Sequence, residues 1–432
     1  MIETVRNAWK IPDLRKKLLY VIFAIIVFRF AHAIHVPYIN TAMLAQSFSS
    51  AGNLLEYFNV LAGGGLEQAS ILALSIYPYI NSSIIIQLLQ VAIPALERLA
   101  KEGGEEGKRK IAFITRCLTL VLAAVMAFSY YLMLKSSAFS GVLKAQGSTL
   151  WGAIVIITTF TAGSMFVMWL AERMTQKGIG NGTSIILFIG IVSRGPAVVQ
   201  TIINGWTTDA ASWWWKTIVI LIISIAIIAF IIYITNAERR IPIQYAKRVV
   251  GRKQYGGQST HLPMKVNMSG VMPVIFASTI TSVPATIVAF AQPAEGSFWH
   301  NFANKWFAQS APAYIIVYVL LIFAFAYFYS AIQFNPIEVA NNLRKNGGFI
   351  PGFRPGRPTS DFISKVLNKV TMMGAIFLAV IAGLPLIMSN LPGLGGLAIG
   401  GTSVMIMVGV ALETVKAIEN EMLLRHYKGF LE

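Results

Sequence analysis

Charged residues and thiols are the two things that this sequence has little of. Asp, Glu, Lys and Arg make up 12% of the 432 residues, about half of the roughly 25% that is usual in a soluble domain. Cys117 is the one cysteine, so the chain by itself supplies neither a disulfide nor a zinc site built from thiolates. The first shortage excludes a soluble globular domain, and the second argues against redox and metal chemistry.

Apolar residues take the place of the missing charges, at 56% of the chain with a mean hydropathy of +0.64. They fall into separate runs of about 20 residues, the length that crosses a bilayer core of about 30 Å as a helix. The pattern therefore predicts an all-α, multi-pass membrane protein with ten spans. We place them near residues 18–36, 71–93, 111–134, 150–171, 183–203, 215–235, 269–291, 312–333, 368–390 and 397–415.

The basic residues are distributed unevenly between the two sides of this map. The N-terminal segment, the loops after the even-numbered spans and the C-terminal segment hold 28 of the 35 Lys and Arg, whereas the other loops hold five. Positive charge is retained on the cytoplasmic side of a membrane, so we expect both termini in the cytoplasm. The basic excess also fits an acidic or RNA-bearing partner.

Ten spans divide into two groups of five, which suggests two pseudo-symmetric halves. We expect an N-terminal half of residues 1–205 and a C-terminal half of residues 206–432, the latter with cytoplasmic loops 236–267 and 335–367 and a cytoplasmic tail 416–432. The second span of each half has a proline in its apolar run, Pro78 and Pro273. These prolines are expected to soften the two spans.

The same two spans each carry one stripe of polar side chains at helical spacing. The stripes are Ser83, Gln87 and Gln90 on the second span and Thr279, Ser282 and Thr286 on the seventh. Two interpretations fit this pattern: the stripes form a seam between the halves, or they hydrogen-bond neighbouring helices of a packed bundle. Spacing alone does not separate them.

Residues with catalytic or cofactor chemistry are scarce. The nearest approach to a phosphate-binding loop, around Gly107, has Glu102 in place of the first glycine and Arg109 in place of the hydroxyl residue. The span interiors offer Arg29 and Arg116, while the acids lie in loops or at the ends of the spans, so a proton relay lacks its carriers. We therefore expect no enzymatic activity, no cofactor and no metal.

Six stretches carry a family resemblance, in the order in which they occur. They are YPYINSSIIIQLL at 77–89, KEGGEEGKRKI at 101–111, GIGNGTSI at 178–185, STHLPMKVNMSGVMPVIFAS at 259–278, FNPIEVANNLRKNGGFIPGFRPGRPT at 334–359 and GGTS at 400–403. Through these stretches, and over essentially its whole length, the chain resembles the SecY family of bacterial protein-conducting channels.

The resemblance implies a clamshell of spans one to five and six to ten around an hourglass pore. The expected function is a passive channel that translocates unfolded secretory proteins across the cell membrane of a bacterium. Signal sequences and transmembrane segments would leave it sideways, through a lateral gate where spans two and three part from spans seven and eight. The two polar stripes would then lie at this gate.

The resemblance also implies a ring of aliphatic side chains that narrows the pore and dewets when it is empty. The ring residues would be Ile76, Ile80, Thr183, Leu187, Ile275 and Ile406. Thr183 departs from the family pattern, which usually has an aliphatic residue there, so its share in the seal is open. Without the resemblance, each of these side chains reads as ordinary core of a helix bundle.

Residues 53–70, between the first two spans, are too short and too broken by glycine to cross a membrane. They match the plug of the family, a short helix that closes the outer funnel at rest. The plug residues would be Asn53, Leu54, Leu55, Tyr57, Phe58, Leu61, Gly63, Gly64 and Gly65. The three glycines would supply a flexible joint.

The basic cytoplasmic loops resemble the family's docking surface for the ribosome and the SecA motor ATPase, which drive the channel. The docking residues would be Arg239, Arg240, Lys247, Arg248, Arg252, Lys253 and Arg354. Further partners implied by the resemblance are SecE-like and SecG-like small membrane subunits, signal peptides, unfolded preproteins, SecDF and a membrane insertase.

A secondary transporter of small solutes is the chief alternative, because ten spans in two halves also fit that class. The lack of acids inside the spans and the length of the basic loops oppose it. A channel of the SecY type should copurify with one or two small membrane subunits, whereas a transporter should purify alone or as a homo-oligomer.

Overall fold

The fold is that of a computed structural model, which describes most of the chain. The described residues are 2–50, 59, 63–136, 139–208, 210–245, 248–250, 253–255, 259–291, 297–298, 302, 305–306, 311–389 and 401–428. They form two units. The first contains residues 1–215, 285–301 and 410–432, and the second contains residues 216–284 and 302–409.

Helices dominate the described residues, and a helix overlaps each of the ten predicted spans. In chain order the helices are α1 (Ile2–Lys10), α2 (Pro12–His32), α3 (Thr41–Ser50), α4 (Tyr77–Ala92), α5 (Pro94–Lys101), α6 (Gly104–Lys135), α7 (Leu150–Lys177), α8 (Gly182–Val192), α9 (Gly195–Thr208), α10 (Ala210–Asn236), α11 (Met272–Ala291), α12 (Pro312–Gln333), α13 (Pro336–Lys345), α14 (Arg357–Ser389) and α15 (Gly401–Lys428). Within the part of the chain that the structure describes, six helical stretches are long and apolar enough to cross a membrane, and α4 with α5 makes a seventh if that bent pair is one span.

The bend between α4 and α5 is 107°, and its cause is local. Ile93, between the two helices, has an extended backbone with φ −111° and ψ 110°. A residue that precedes proline is driven out of the helical region by the proline ring, and Pro94 begins α5. The chain therefore changes direction sharply between the end of α4 and the start of α5.

The prediction of a helix over 71–93 with a proline inside it is wrong at its N-terminal end. Residues 71–76 form turns, and α4 begins at Tyr77, so that Pro78 stands in its first turn. Pro273 likewise occupies the first turn of α11, while Pro284 lies inside that helix. A proline in the first turn costs no hydrogen bond, so Pro78 and Pro273 begin their helices and do not soften them.

One apolar cluster forms the centre of the first unit. It joins α3, the turns before α4, α6 and α7 through buried side chains that include Leu44, Leu74, Leu134 and Phe160. Tyr130 of α6 meets Phe160 of α7 edge to face, with ring centroids 5.2 Å apart, a preferred geometry for aromatic pairs.

Aromatic packing joins α11 to α12 in the second unit. The fully buried Phe276 of α11 lies against Phe325 and Tyr329 of α12, at centroid distances of 5.5 Å and 4.8 Å. Farther along α11, Thr281 Oγ1 and Tyr314 Oη are 3.4 Å apart. These contacts fix one helix against the other along several turns.

The loops 236–267 and 335–367 contain two small sheets that the sequence analysis did not predict. The strands are β1 (Glu238–Tyr245), β2 (Arg248–Val250), β3 (Lys253–Tyr255), β4 (Ser259–Lys265) and β5 (Gly348–Phe349). Strand β1 lies between β4 and β5, antiparallel to both, and β2 pairs with β3. Alternation along β1 buries Ile241 and Ile243 on one face, the period-two pattern of a half-buried strand.

The three-stranded sheet, α13 and the start of α14 enclose their own apolar core, and we call this unit the cytoplasmic module, after the side of the membrane that the sequence analysis predicts for its two loops. Its buried members are Ile241, Ile243, Met264, Ala340, Leu343, Ile350, Ile363 and Leu367. Because side chains from both long loops share this core, the two loops fold as one body.

Candidate functional site

The segment immediately before α4 is non-helical and buried. Leu72, Ala73, Ser75 and Ile76 are almost completely shielded, although they lie between apolar spans. Irregular backbone at membrane depth is tolerated where protein buries it and its polar groups are paired. Ile71 N–H donates to Ile34 O at 2.9 Å, and Ser75 N–H donates to Leu72 O at 2.8 Å, so such pairing is present here.

Helix α7 packs against this segment at closest range. A Cβ on Gly163 would lie 1.9 Å from Ile71 O, a distance that no side chain allows, so only glycine fits at this position. In the next position Ser164 Oγ donates to Ser75 O at 3.3 Å. Ser75 has a positive φ of 49°, a strained conformation for a residue with a side chain, and the hydrogen bond from α7 helps to hold it.

Four predicted ring residues lie in the first unit. Ile76 directly precedes α4, Ile80 is in its first turns, and both are buried. Leu187 is buried within α8. Thr183 is half-buried in the first turn of α8, where its N–H donates to Asn181 Oδ1 at 3.0 Å.

The remaining two ring residues lie in the second unit. Ile275 is half-buried near the start of α11, and its carbonyl accepts a hydrogen bond of 2.8 Å from Ser278 Oγ. Ile406 is buried within α15. Each set is described within its own unit, so the convergence of all six side chains on one ring stays a prediction.

Two side chains of the polar stripe on α4 are hydrogen-bonded to each other. Ser83, Gln87 and Gln90 are all half-buried, and Gln87 Nε2 donates to Ser83 Oγ at 3.3 Å. On α11, Thr279 is half-buried, while the side chains of Ser282 and Thr286 lie outside the described part of the chain. The choice between a gate seam and ordinary bundle packing therefore stays open at these positions.

The predicted plug is described at its C-terminal end. Asn53, Leu54, Leu55, Tyr57, Phe58 and Leu61 lie outside the described residues, whereas Gly63, Gly64 and Gly65 lie within them. Gly63 and Gly64 have φ of 69° and 87°, conformations that glycine adopts without strain. We call Asn59 and residues 63–67 the plug root.

The plug root is held by contacts to α6 and α8. Tyr130 of α6, which is buried, donates from its hydroxyl to Leu66 O at 2.7 Å. At the end of α8, Ser193 Oγ lies 3.5 Å from Gly63 O. A Cβ on Gly63 would be 3.1 Å from the Cα of Gly190, so the two backbones approach closely.

Five of the seven predicted docking residues are described, and they lie in or beside the cytoplasmic module. Arg239 and Arg240 are exposed on β1, and Arg240 Nε is 2.7 Å from Glu238 Oε1. Lys247 and Arg252 lie outside the described residues, and for Arg248 and Lys253 the strand positions are described but not the side chains.

Arg354 stands exposed in the turn that joins β5 to α14. Gly352 and Gly356 flank it with φ of 88° and 108°. Thr359 Oγ1 donates to Arg354 O at 2.8 Å, and Phe353 packs on Phe362 with ring centroids 4.2 Å apart. The turn thus presents Arg354 to solvent from an anchored backbone.

One ion pair inside the helices was missed by the sequence analysis. Arg116 of α6 makes two contacts with Glu172 of α7, Nε to Oε1 at 3.0 Å and Nη2 to Oε2 at 2.8 Å. The predicted span 150–171 stopped one residue before Glu172, whereas α7 continues to Lys177. A bidentate pair of this kind satisfies both groups, so Arg116 is no isolated charge.

Known proteins resemble this chain over its full length. The model of the SecY family matches residues 70–415. The chain is 42% identical over 442 residues to the protein translocase subunit SecY of Streptomyces scabiei, with all of both chains covered. It is 41% identical over 441 residues to the subunit of that name from Thermotoga maritima, covering all of this chain and 98% of the relative.

Solved structures resemble it in fold. A SecY protein whose plug domain stabilises the closed state of its translocation channel matches with a TM-score of 0.66, covering 95% of this chain and 92% of that one. Sec61 in a canine ribosome-channel complex matches with a TM-score of 0.58, covering 95% of this chain and 93% of that one. Both are 18% identical to this chain, a level at which the likeness shows the fold.

Proposed function

The chain belongs to the SecY family, and from that premise we propose that it is the subunit of a protein translocase that forms the protein-conducting channel. The observation that carries this proposal is the 42% identity with a protein translocase subunit SecY across both entire chains. The protein is a multi-pass membrane protein. It acts as a passive channel and not as an enzyme, and it moves unfolded secretory proteins across the membrane.

An unfolded polypeptide needs a water-filled passage to cross the membrane. An extended chain that crosses about 30 Å at about 3.3 Å per residue presents some nine residues to the bilayer core. Each residue carries two polar backbone groups that cost several kcal/mol apiece in hydrocarbon, so the barrier without a passage is on the order of tens of kcal/mol. A channel removes this barrier, but it must also be sealed against ions.

We assign the seal to the predicted ring. Five of its members, Ile76, Ile80, Leu187, Ile275 and Ile406, are aliphatic, and a constriction lined by such side chains excludes water when it is empty. Burial of four of them supports a role inside the protein and not at its lipid surface. Thr183 contributes least, because its hydroxyl group is polar.

Two further parts complete the channel. Helices α4 and α11, each with its polar stripe, border the lateral gate through which signal sequences and transmembrane segments enter the bilayer. Residues 53–70 form the plug that covers the outer funnel at rest. The flexible glycines of the plug root support this assignment, since a plug needs a joint on which to move.

The cytoplasmic module is the platform on which partners dock. Sec61, a solved relative, was found in a ribosome-channel complex, and exposed arginines on an anchored sheet suit contacts to ribosomal RNA phosphates. SecA would dock at the turn that presents Arg354. SecE-like and SecG-like subunits would complete the assembly, with SecDF and a membrane insertase as accessory partners.

The protein is oriented with both termini in the cytoplasm and lies in the cell membrane of a bacterium. Loops that hold 28 of the 35 basic residues support this orientation through the positive-inside rule. The cytoplasmic module, which carries Arg239, Arg240 and Arg354 on its surface, then faces the side on which ribosomes and the motor are found.

The ring assignment is tested by placing a charge in the seal. Ile406→Asp and Ile275→Asp should each raise the resting ion conductance of the purified translocase in vesicles by about tenfold or more, because a charge keeps a constriction hydrated. The same variants should accept substrates with defective signal sequences. Ile406→Leu is the matched control, and unchanged conductance in charged variants that assemble normally would count against the ring.

The docking assignment is tested by reversing one charge. Arg354→Glu should impair SecA-driven export more than ribosome-coupled membrane insertion, because the motor pushes on this turn while the ribosome contacts a wider surface. The matched control is Arg344→Glu on α13, another exposed arginine of the module. Equal losses in the two assays, or equal losses in the two variants, would remove Arg354 from this role.

A further inference from the structure

The plug root closes on itself through one asparagine. Asn59, which is 2% exposed, faces Glu67 in a reciprocal pair: Glu67 N–H donates to Asn59 Oδ1 at 3.1 Å, and Asn59 Nδ2 donates to Glu67 Oε2 at 2.9 Å. Gly64 N–H adds a third bond, to Asn59 O at 2.8 Å. Asn59 is therefore joined to residues 64 and 67 of the plug root by three hydrogen bonds, two of which use polar side chains.

The plug root is tied by charge to the turn that follows α8. Arg194 Nη2 lies 3.9 Å from Glu67 Oε2, the same oxygen that accepts from Asn59. The side chains of Arg194 and Glu67 are 23% and 35% exposed, so the pair is only partly screened by solvent. Glu67 thus holds the shape of the root with one partner and its position with the other.

Polar contacts suit a segment that has to separate from its neighbours. The apolar cluster of the first unit takes Leu66, Ala69, Ala73 and Leu74 from this stretch of chain, which fixes the part nearest α4. Asn59 and Gly63 are instead held by hydrogen bonds, by the Glu67 charge and by close backbone contact. Such contacts can be exchanged for water as they break, whereas apolar surface cannot.

We propose that Asn59, Glu67 and Arg194 form a polar latch that holds the plug root against α8 in the resting channel and opens when a substrate enters. This inference rests on the proposed function, because it needs residues 53–70 to be a plug. When the plug moves away, the Glu67–Arg194 pair breaks first, since Arg194 lies in the turn between α8 and α9 and does not travel with the root. The bonds between Asn59 and Glu67 move with the root as a unit.

A charge swap tests the latch in the assembled translocase. Glu67→Arg and Arg194→Glu should each raise the resting ion conductance of vesicles about fivefold to tenfold, because each places like charges together. The double variant Glu67→Arg with Arg194→Glu should lower it again to below the value of either single variant, because the attraction is restored with its sign inverted, although an arginine at position 67 accepts no bond from Asn59. Failure of the double variant to rescue correctly assembled singles would overturn the latch.

A neutral variant tests the latch without reversing a charge, so the test does not depend on assembly of the charge-reversal variants. Glu67→Gln keeps the size of the side chain and an oxygen that can accept from Asn59, but it removes the attraction to Arg194. It should raise the conductance about threefold, and a value equal to that of the parent would overturn the latch. The matched control is Lys144→Glu, which reverses another exposed charge of an outer loop and should leave the conductance unchanged.

The Ile406→Asp variant separates this inference from the function on which it rests. If Ile406→Asp conducts ions and the latch variants do not, the channel stands and the latch is wrong. If neither Ile406→Asp nor the latch variants conduct, the channel assignment itself fails, and the latch fails with it. Conductance by both, with rescue by the double swap, supports both.

Discussion

The plug root and the cytoplasmic module are both irregular stretches between long helices, yet different forces hold them. The module pairs β1 with β4 over seven residue pairs and encloses an apolar core shared by both long loops. The plug root has turns, a few single hydrogen bonds, one ion pair at 3.9 Å and one side chain, Leu66, in the apolar cluster of the first unit. The first is a body that resists deformation, and the second is a segment that can be released.

This difference matches the role that we propose for each region in the channel. A docking platform transmits the push of a motor only if it does not yield, and a buried apolar core supplies that rigidity. A moving part has to be drawn from the least stable end of the structure. Weak polar contacts at the plug root therefore suit the proposed plug, whereas the same weakness in the module would not suit the proposed docking platform.

The largest effect is expected from a variant that disrupts the apolar core of the cytoplasmic module. Ile243→Asp places a charge without a partner in the core of the module, which should cost about 3–5 kcal/mol. The module should become sensitive to protease added from the cytoplasmic side, and both SecA-driven and ribosome-driven transport should be lost. Limited proteolysis of the assembled translocase measures the first effect.

Its matched control is Ile243→Val, which removes one methylene and should cost about 0.5–1.5 kcal/mol. That variant should keep its protease resistance and most of its transport. A module that survives Ile243→Asp intact would show that its apolar core does not hold it together, and the contrast with the plug root would disappear.

An intermediate effect is expected at the contact between α7 and the segment before α4. Gly163→Ala forces a methyl group against Ile71 O, which should cost about 1–3 kcal/mol and displace the backbone that leads to Ile76. Resting ion conductance should rise in vesicle measurements. Gly195→Ala, where a Cβ would meet nothing within 4 Å, is the matched control, and equal conductance in the two variants would contradict the tight contact.

The smallest effect is expected from the loss of one hydroxyl group of α6 that hydrogen-bonds to the plug root. Tyr130→Phe removes the bond to Leu66 O and should weaken the hold of α6 by about 1 kcal/mol, enough for about a fivefold rise in resting conductance. Tyr131→Phe, which loses a bond of 3.3 Å to Gly147 O and leaves the root untouched, should not change it. A rise in both variants would indicate general loosening of α6.

The membrane part of the fold could be predicted from the sequence, because hydrophobic runs of spanning length have one structural solution. The start of α4 could not: Ile71 to Ile76 are as apolar as the helix that follows, and their turns arise from packing on Gly163 and from the hydrogen bond of Ser164. Such tertiary contacts leave no periodic signal in the segment that they shape.

The cytoplasmic module was missed for a different reason. The alternation of Ile241, Ile243 and Tyr245 is a strand signal, but glycines and prolines in the same loop hid it, and its partner residues come from a loop about 100 positions later. The candidate site likewise contains residues that could be predicted from the sequence and residues that could not. Ring and stripe residues were placed through the family resemblance, whereas Glu67 and Arg194 became visible only when the fold brought them together.

Covalent capture of a substrate in transit tests the central claim most directly. A half-exported polypeptide, stalled in the Cys117→Ser background, is crosslinked to single cysteines placed at Ile80, Leu187, Ile275 or Ile406. The account predicts adducts at these four positions and none at Phe113→Cys or Met373→Cys, whose parent side chains are both 65% exposed on the outside. Adducts at the outer positions with none at the ring would show that the polypeptide travels around the protein and not through it.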